Sequence, residues 1–384
     1  MRVFIVAGDP SGDHHAAALA AALQDMAGGE AVVIEGVGAS ACAAAGVELL
    51  HDLASRGLMG FVEVVKHFPE IRRVYHSVLN RWATNRPDVV VLVDYPGFNL
   101  RLAKQAHKMN IPVVYYISPQ VWAWKPGRIS YLTKYVDTLL VIFPFEEAFF
   151  RPYPIRCRYV GHPLAERIHT WRTAHDPVRI REQLKLPEGR LPIALLPGSR
   201  LQEIKRIFPT LCEAAKYLQE QIPNAYFLTS CLTPAMETHL RNLSRHVEVA
   251  IHVNAMYEVL SVSALALVAS GTATLETALF EVPHVIVYKV HPLTYQLAKR
   301  FVRVPSIGIV NLLLGRTVIP EFIQGRAQPR AIAEKALSLL RDTPERAAML
   351  AGFAEVQRAL RTQDVAARAA EEVLAVVQRR KGHA

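Results

Sequence analysis

Residues 87–99, PDVVVLVDYPGFN, decide the fold. Val89 to Val93 form an unbroken apolar run of strand length, bounded by Pro87-Asp88 on one side and Asp94-Tyr95-Pro96-Gly97 on the other. A strand without polar alternation is buried on both faces, as in a parallel sheet covered by helices. Working outward, further strands are expected at 3–7, 31–35, 112–116, 137–142 and 156–160, with helical stretches at 15–25 and 100–108 between them. That alternation is the signature of βαβ units. A polar, charged break lies between 167 and 187, and a second alternation follows, with strands at 192–196, 225–229, 247–252, 264–268 and 284–288. The expected architecture is α/β: two doubly wound Rossmann-like domains facing a cleft, over 1–167 and 186–345. The strand-free, Ala-, Glu- and Arg-rich region 346–384 should form a helical tail on the first domain or on a partner chain.

Composition agrees with two domains that each bury a core. The chain has 384 residues, 51% of them hydrophobic. Four cysteines without CxxC spacing suggest neither a disulfide framework nor structural zinc, and point to a reduced, cytoplasmic setting. The first apolar run is too short for a signal peptide, and no stretch is long enough to span a bilayer, so any membrane contact is expected to be peripheral. The 44 Lys+Arg against 34 Asp+Glu give a net charge of +10. Charge alone leaves nucleic acid, an anionic membrane and a phosphorylated substrate open.

In an open α/β sheet, ligands sit beyond the carboxyl ends of the strands. Three strand-to-helix loops have that form. Gly8-Asp9-Pro10-Ser11-Gly12-Asp13 fits neither the dinucleotide fingerprint nor a Walker A loop; its acidic residues suit helix capping or a site. Pro197-Gly198-Ser199-Arg200 combines a glycine, a helix start and a forked cation, which suits a diphosphate. Ser270-Gly271-Thr272 opens another helix, and Glu276, one turn in, can accept from a ribose diol. Asp94, at the tip of the buried strand, is the candidate general base, because partial desolvation raises a carboxyl pKa toward useful values. No HExxH or GxSxG occurs, so neither a zinc protease nor an α/β-hydrolase is suggested, and no metal site is expected.

Trp122 and Trp124, in SPQVWAWK, could pack on an acyl chain, on a sugar face or in the core. The stretch 57–75 carries Phe61, Val65 and Phe68 beside Arg72, and 295–303 (YQLAKRFVR) carries Arg300. Both are amphipathic and basic, as a lipid-facing helix or an ordinary core helix would be.

Taken in order, VAGDPSGD, GLMGFVEV, PDVVVLVDYPGFN, YYISPQVWAWKPGR, FPFEEAFF, YVGHPLAE, LLPGSRLQEI, ASGTATLE, PLTYQLAKR and IVNLLLGR resemble the lipid-A-disaccharide synthase family along nearly the whole chain. The resemblance implies a GT-B glycosyltransferase without cofactor or metal. It would join UDP-2,3-diacylglucosamine and 2,3-diacylglucosamine 1-phosphate (lipid X) into the β-1,6 disaccharide, releasing UDP. It also implies an inverting displacement with Asp94 as base, Asp9 nearby, the loops at Gly198–Arg200 and Ser270–Thr272 on the diphosphate, Glu276 on the ribose and Asn311 near the donor. A homodimer resting on the inner face of the inner membrane is implied as well, and nucleic acid is not a partner. Three departures matter. Asp9 stands where Glu is common, Gly97 stands where some members carry a second Asp, and 39–46 (ASACAAAG) diverges. The competing readings are another UDP-sugar GT-B enzyme with a different lipid or peptidoglycan acceptor, and a basic nucleic-acid-binding protein.

Overall fold

A computed structural model describes residues 1–28, 31–56, 67–123, 125–291, 295–296 and 305–381. The chain divides into two units, Met1–Pro163 with Thr362–Ala384, and Leu164–Arg361. The chain therefore enters the second unit four residues earlier than the expected first domain ends. Helix Pro344–Leu360 stays in the second unit, and only the segment from Thr362 onward returns to the first.

The first unit holds seven parallel strands: β1 Arg2–Ala7, β2 Val33–Gly38, β3 Glu48–Asp52, β4 Val89–Val93, β5 Val113–Tyr116, β6 Thr138–Val141 and β7 Arg156–Tyr159. Their order is β3-β2-β1-β4-β5-β6-β7. The apolar runs have a direct cause, since alternate residues serve two cores. Phe4, Val6, Val90, Leu92 and Tyr115 face one core, which also takes Val74, Val78 and Trp82 of helix Phe68–Thr84. Val3, Ile5, Val89, Val91 and Val93 face the other, which is closed by helix Pro10–Met26 and by helix Val365–Lys381. The last helix contributes Val365, Ala369, Ala370, Val373, Val376 and Val377.

The second unit holds six parallel strands: β8 Leu191–Leu196, β9 Ala225–Cys231, β10 Val249–Val253, β11 Leu265–Ala269, β12 His284–Tyr288 and β13 Glu321–Ile323, in the order β10-β9-β8-β11-β12-β13. Two strands escaped the sequence reading, β3 and β13. Both are sheet edges and neither has a fully buried residue, so neither carries the apolar run that marks the inner strands; the opposite edges β7 and β10 were expected all the same.

In each sheet the strand order reverses once, at β1/β4 and at β8/β11, and that switch point is where an open α/β sheet leaves a crevice for ligand. Ala7 pairs with Val93, so Gly8-Asp9 and Asp94 leave the first sheet side by side. Leu196 pairs with Val268, so Pro197-Gly198 and Ser270-Gly271 leave the second close together. Among the described residues, no helix is long and apolar enough to cross a membrane.

Candidate active site

At the first switch point the backbone is held under strain. Asp94 and Tyr95 are consecutive non-glycine residues with positive φ, 44° and 45°. Such residues are uncommon and persist only where their surroundings fix them. Here the Asp94 amide donates to the Tyr116 carbonyl at 2.9 Å. The Asp94 carbonyl accepts from Tyr115 Oη at 2.6 Å and from the buried Asn99 Nδ2 at 2.8 Å. The turn throws the Tyr95 ring across β1, where a Cβ on Gly8 would fall inside it. Glycine at position 8 is thus required by the turn at 95.

Asp9 caps helix Pro10–Met26, its carboxylate accepting from the Gly12 amide at 3.2 Å, and it is buried at 5% exposure. Burial, and next the negative charge of Asp9, push the Asp94 carboxyl up to about 6, while the Tyr95 amide and Arg128 act against them. Burial and then Asp94 hold the Tyr115 phenol well above its usual range, and burial lowers the Arg128 guanidinium. Asp94, Tyr115 and Arg128 are one electrostatically coupled group. Tyr115 and Arg128 are the first and last residues of the motif YYISPQVWAWKPGR, but the sequence did not tie either of them to Asp94.

Asp13 has a different task from Asp9. It accepts from the amides of Ala39 at 2.6 Å, Ala41 at 2.9 Å and Cys42 at 3.3 Å, and so caps the short helix Ser40–Ala44 of the divergent segment. Trp122 is engaged with the scaffold, in keeping with the core-packing part that the sequence left open for it beside an acyl chain or a sugar face. Its indole donates to Glu146 at 3.0 Å and meets Phe145 edge-on at 5.0 Å. Glu146 is buried, which lifts its pKa to about 7, and it also accepts from the Phe143 amide at 3.1 Å. The pair ties the turn at 120–123 to helix Pro144–Phe150.

His162, of YVGHPLAE, is buried against Phe143 with Nδ1 unpartnered, and burial followed by His15 lowers its pKa to about 3.

At the second switch point, Gly198 has φ 103°, and a Cβ there would meet the Glu203 carboxylate. Glu203 accepts from the Arg200 amide at 3.4 Å and from its guanidinium at 3.2 Å, which holds an otherwise exposed side chain at the mouth of the loop. Across from it, Ser270 Oγ donates to the Ile307 carbonyl at 3.3 Å, while Gly271 and Thr272 lie exposed at the start of helix Thr272–Leu279. Nothing stands within 4 Å of the space a Cβ on Gly271 would take, so a ligand can approach the backbone closely. Ser199 lies between Gly198 and Arg200, in the same turn. Burial raises the Glu276 pKa, and Arg167, which donates to Tyr257 Oη at 2.7 Å, opposes the rise.

Asn311 is placed differently from its expected part beside the donor. It is 1% exposed, and its amide nitrogen donates to the Ile319 carbonyl at 2.8 Å and to Glu321 at 2.9 Å. Its oxygen accepts from the Val318 and Ile319 amides at 2.9 and 3.0 Å. All four hydrogen bonds that an asparagine amide can make serve the scaffold. Glu321 also accepts from the Ile307 and Gly308 amides at 3.0 and 2.9 Å. Asn311 therefore positions the 305–308 turn that receives Ser270, and Glu321, missed in the sequence because it sits in a three-residue edge strand, is its partner. Phe68 and Arg72 lie on helix Phe68–Thr84, Phe68 at 49% exposure. Phe61, Val65, Trp124 and Arg300 fall outside the described residues.

Two doubly wound parallel sheets, one with an acidic switch point and the other with two glycine-bearing strand-to-helix loops at its own, make a GT-B fold. Solved structures agree on the fold. A UDP-GlcNAc 2-epimerase from Neisseria meningitidis, determined with UDP-GlcNAc bound, aligns over 99% of this chain and 100% of its own at TM-score 0.63 and 11% identity. The calicheamicin glycosyltransferase CalG4 aligns over 98% of each chain at 0.59 and 18%. A family profile described as lipid-A-disaccharide synthetase matches residues 3–375. The lipid-A-disaccharide synthase of Myxococcus xanthus (strain DK1622) is 40% identical over 376 residues, 97% of each chain. That of Geobacter metallireducens (strain ATCC 53774 / DSM 7210 / GS-15) is 38% identical over 384 residues, 99% of this chain and 98% of its own. The chain belongs to the lipid-A-disaccharide synthetase family and is a glycosyltransferase of lipid A biosynthesis.

Proposed function

We propose that the chain transfers 2,3-diacylglucosamine from UDP to the 6-hydroxyl of 2,3-diacylglucosamine 1-phosphate, with inversion at C1. The observation that carries this reading is the division of labour between the two switch points. Asp94, raised to about 6 by burial and by Asp9, is a base matched to neutral pH. It takes the hydroxyl proton as the oxygen attacks C1, in a transition state of oxocarbenium character. Asp9 keeps the Asp94 pKa high, and Arg128 sits near enough to Asp94 to steady the carboxylate once it is ionised.

On the second unit, the Gly198 and Ser199 backbone, Arg200 and the helix start at Ser270-Gly271-Thr272 stabilise the charge that grows on the departing UDP, and Glu276 takes the ribose hydroxyls. The Neisseria neighbour was solved with a nucleotide sugar of the same chemical class as this donor. The test is an assay with UDP-diacylglucosamine and lipid X. Asp94→Asn and Arg200→Ala should each cut transfer at saturating donor, by about 100-fold or more for Arg200→Ala, with folding retained. Full activity in either variant would overturn that residue's role.

Peripheral contact with the inner membrane and a homodimer extend the proposal. Exposed Phe68 beside Arg72 and Arg73 on one helix, and the charge of +10, support the first. The homodimer follows from the family resemblance, and light scattering on the purified chain tests it. Phe61, Val65 and Phe68 changed together to serine should move the protein from the membrane fraction to the supernatant; an unchanged fraction would count against this face.

A further inference from the structure

Helix Thr272–Leu279 begins at the proposed donor loop, and its opposite end borders a second cavity. This cavity, about 450 Å³ and wholly within the second unit, has Ile168 and Leu279 in its floor and His169, Arg172, Arg358 and Arg361 around it. Its lining holds three guanidinium groups against one carboxylate, Glu281. That carboxylate is already engaged. Arg172 Nη1 donates to the Leu279 carbonyl at 2.7 Å and to Glu281 at 3.3 Å, and Gln357 Nε2 donates to the same two acceptors at 3.0 Å each.

Arg358 and Arg361 stand three residues apart where helix Pro344–Leu360 ends. The acid nearest in sequence to Arg358, Glu355, is held by Arg316 at 2.6 Å and interacts with Arg358 only through its charge. Arg361 has no ion pair among the described residues. The helix dipole accounts for arginines at a carboxyl end. It does not account for their convergence with Arg172 and His169, which come from helix Pro163–Ala174, on a concave surface with an apolar floor.

We infer that this cavity is a binding site for a phosphate ester, its oxyanion forked by Arg358 and Arg361 with Arg172 and His169 beside it, and its organic part laid on Ile168 and Leu279. Paired guanidinium groups suit tetrahedral oxyanions because each presents two parallel N–H donors. The ester can come from solution or from the headgroup of an anionic lipid, and the chemistry of recognition is shared.

The experiment uses the full chain carrying Arg200→Ala, so that the donor loop does not report. Inorganic phosphate is titrated calorimetrically, and vesicles of phosphatidylglycerol in phosphatidylcholine are tested by co-sedimentation. Arg358→Ala with Arg361→Ala should weaken phosphate binding by about tenfold or more and steepen no salt dependence, with an unchanged circular dichroism spectrum. Arg358→Lys with Arg361→Lys should keep part of the affinity, since charge remains while the fork is lost. Binding to vesicles alone, abolished by the same alanine pair, assigns the lipid headgroup as the source and equally supports the site. Equal affinity of the parent and the alanine pair for both probes, or no binding of either probe by the parent, overturns it.

Discussion

Asp94 joins a backbone conformation that L-residues avoid to a carboxyl that burial and Asp9 hold near pKa 6, from an ordinary 3.8. The two have opposite consequences for activity and stability. As the proposed base, Asp94 would work only when ionised, so kcat/KM should fall as pH drops through about 6, and the limb should shift toward lower pH in Asp9→Asn, where the neighbouring negative charge is gone. For folding the sign reverses, because the folded state holds this proton more tightly than the unfolded chain does. Its stabilising effect is complete below 3.8 and is lost as pH rises through about 6, an amount of roughly 3 kcal/mol. Asp94→Asn should therefore raise the melting temperature at pH 8 while removing transfer. A melting temperature that falls would show that the carboxylate is a net stabiliser. At this scale the sequence was informative where a residue sits at the tip of an apolar strand or inside a loop motif, as Asp94, Gly198 and Gly271 do. It placed Tyr115, Arg128 and Glu203 inside motifs without their partners, which depend on which strands become neighbours and which side chains then meet.

Strands and loops show a similar split. The inner strands β1, β4 and β5 were legible because their alternate residues serve two cores and leave an apolar run, while the edge strands β3 and β13 were not. Asn311 illustrates what a motif leaves undetermined. IVNLLLGR marks the position as special, yet only the fold reveals that the amide joins helix Ile309–Leu314 to the 318–321 segment. Asn311→Ala leaves buried amides and Glu321 without their partner, at a cost of about 2 kcal/mol. The variant should melt earlier and bind donor more weakly, with KM rising more than kcat falls, because the 305–308 turn that holds Ser270 loosens. Unaltered melting with a collapsed kcat would instead return Asn311 to the chemistry.

On the scale of the whole molecule, the two-unit organisation could be read from the polar break near 167–187, but the point of return could not. The helical pattern runs through both Pro344–Leu360 and Val365–Lys381 and does not say to which sheet each belongs. The division at Arg361/Thr362 depends on tertiary contacts. Four valines of the last helix, Val365, Val373, Val376 and Val377, are buried in the first unit's core. At about 1.5 kcal/mol each they contribute roughly 6 kcal/mol, a large part of a domain's net stability. A chain ending at Arg361 should keep the second unit folded and lose the first. Limited proteolysis would then leave a protected fragment beginning near Leu164, whereas equal protection of both units would contradict the assignment.

The same helix bears on how the protein is made. Because the first sheet is closed on one face by residues 365–381, its core stays open while the ribosome adds about two hundred further residues, and the second unit can form while the first still waits for its last helix. The unit whose strands are made before residue 164 is completed only by residues made after 361. A nascent chain stalled before residue 365 exposes an apolar sheet face, so a stop ahead of that helix should disturb the Asp94 site although the two lie far apart in sequence.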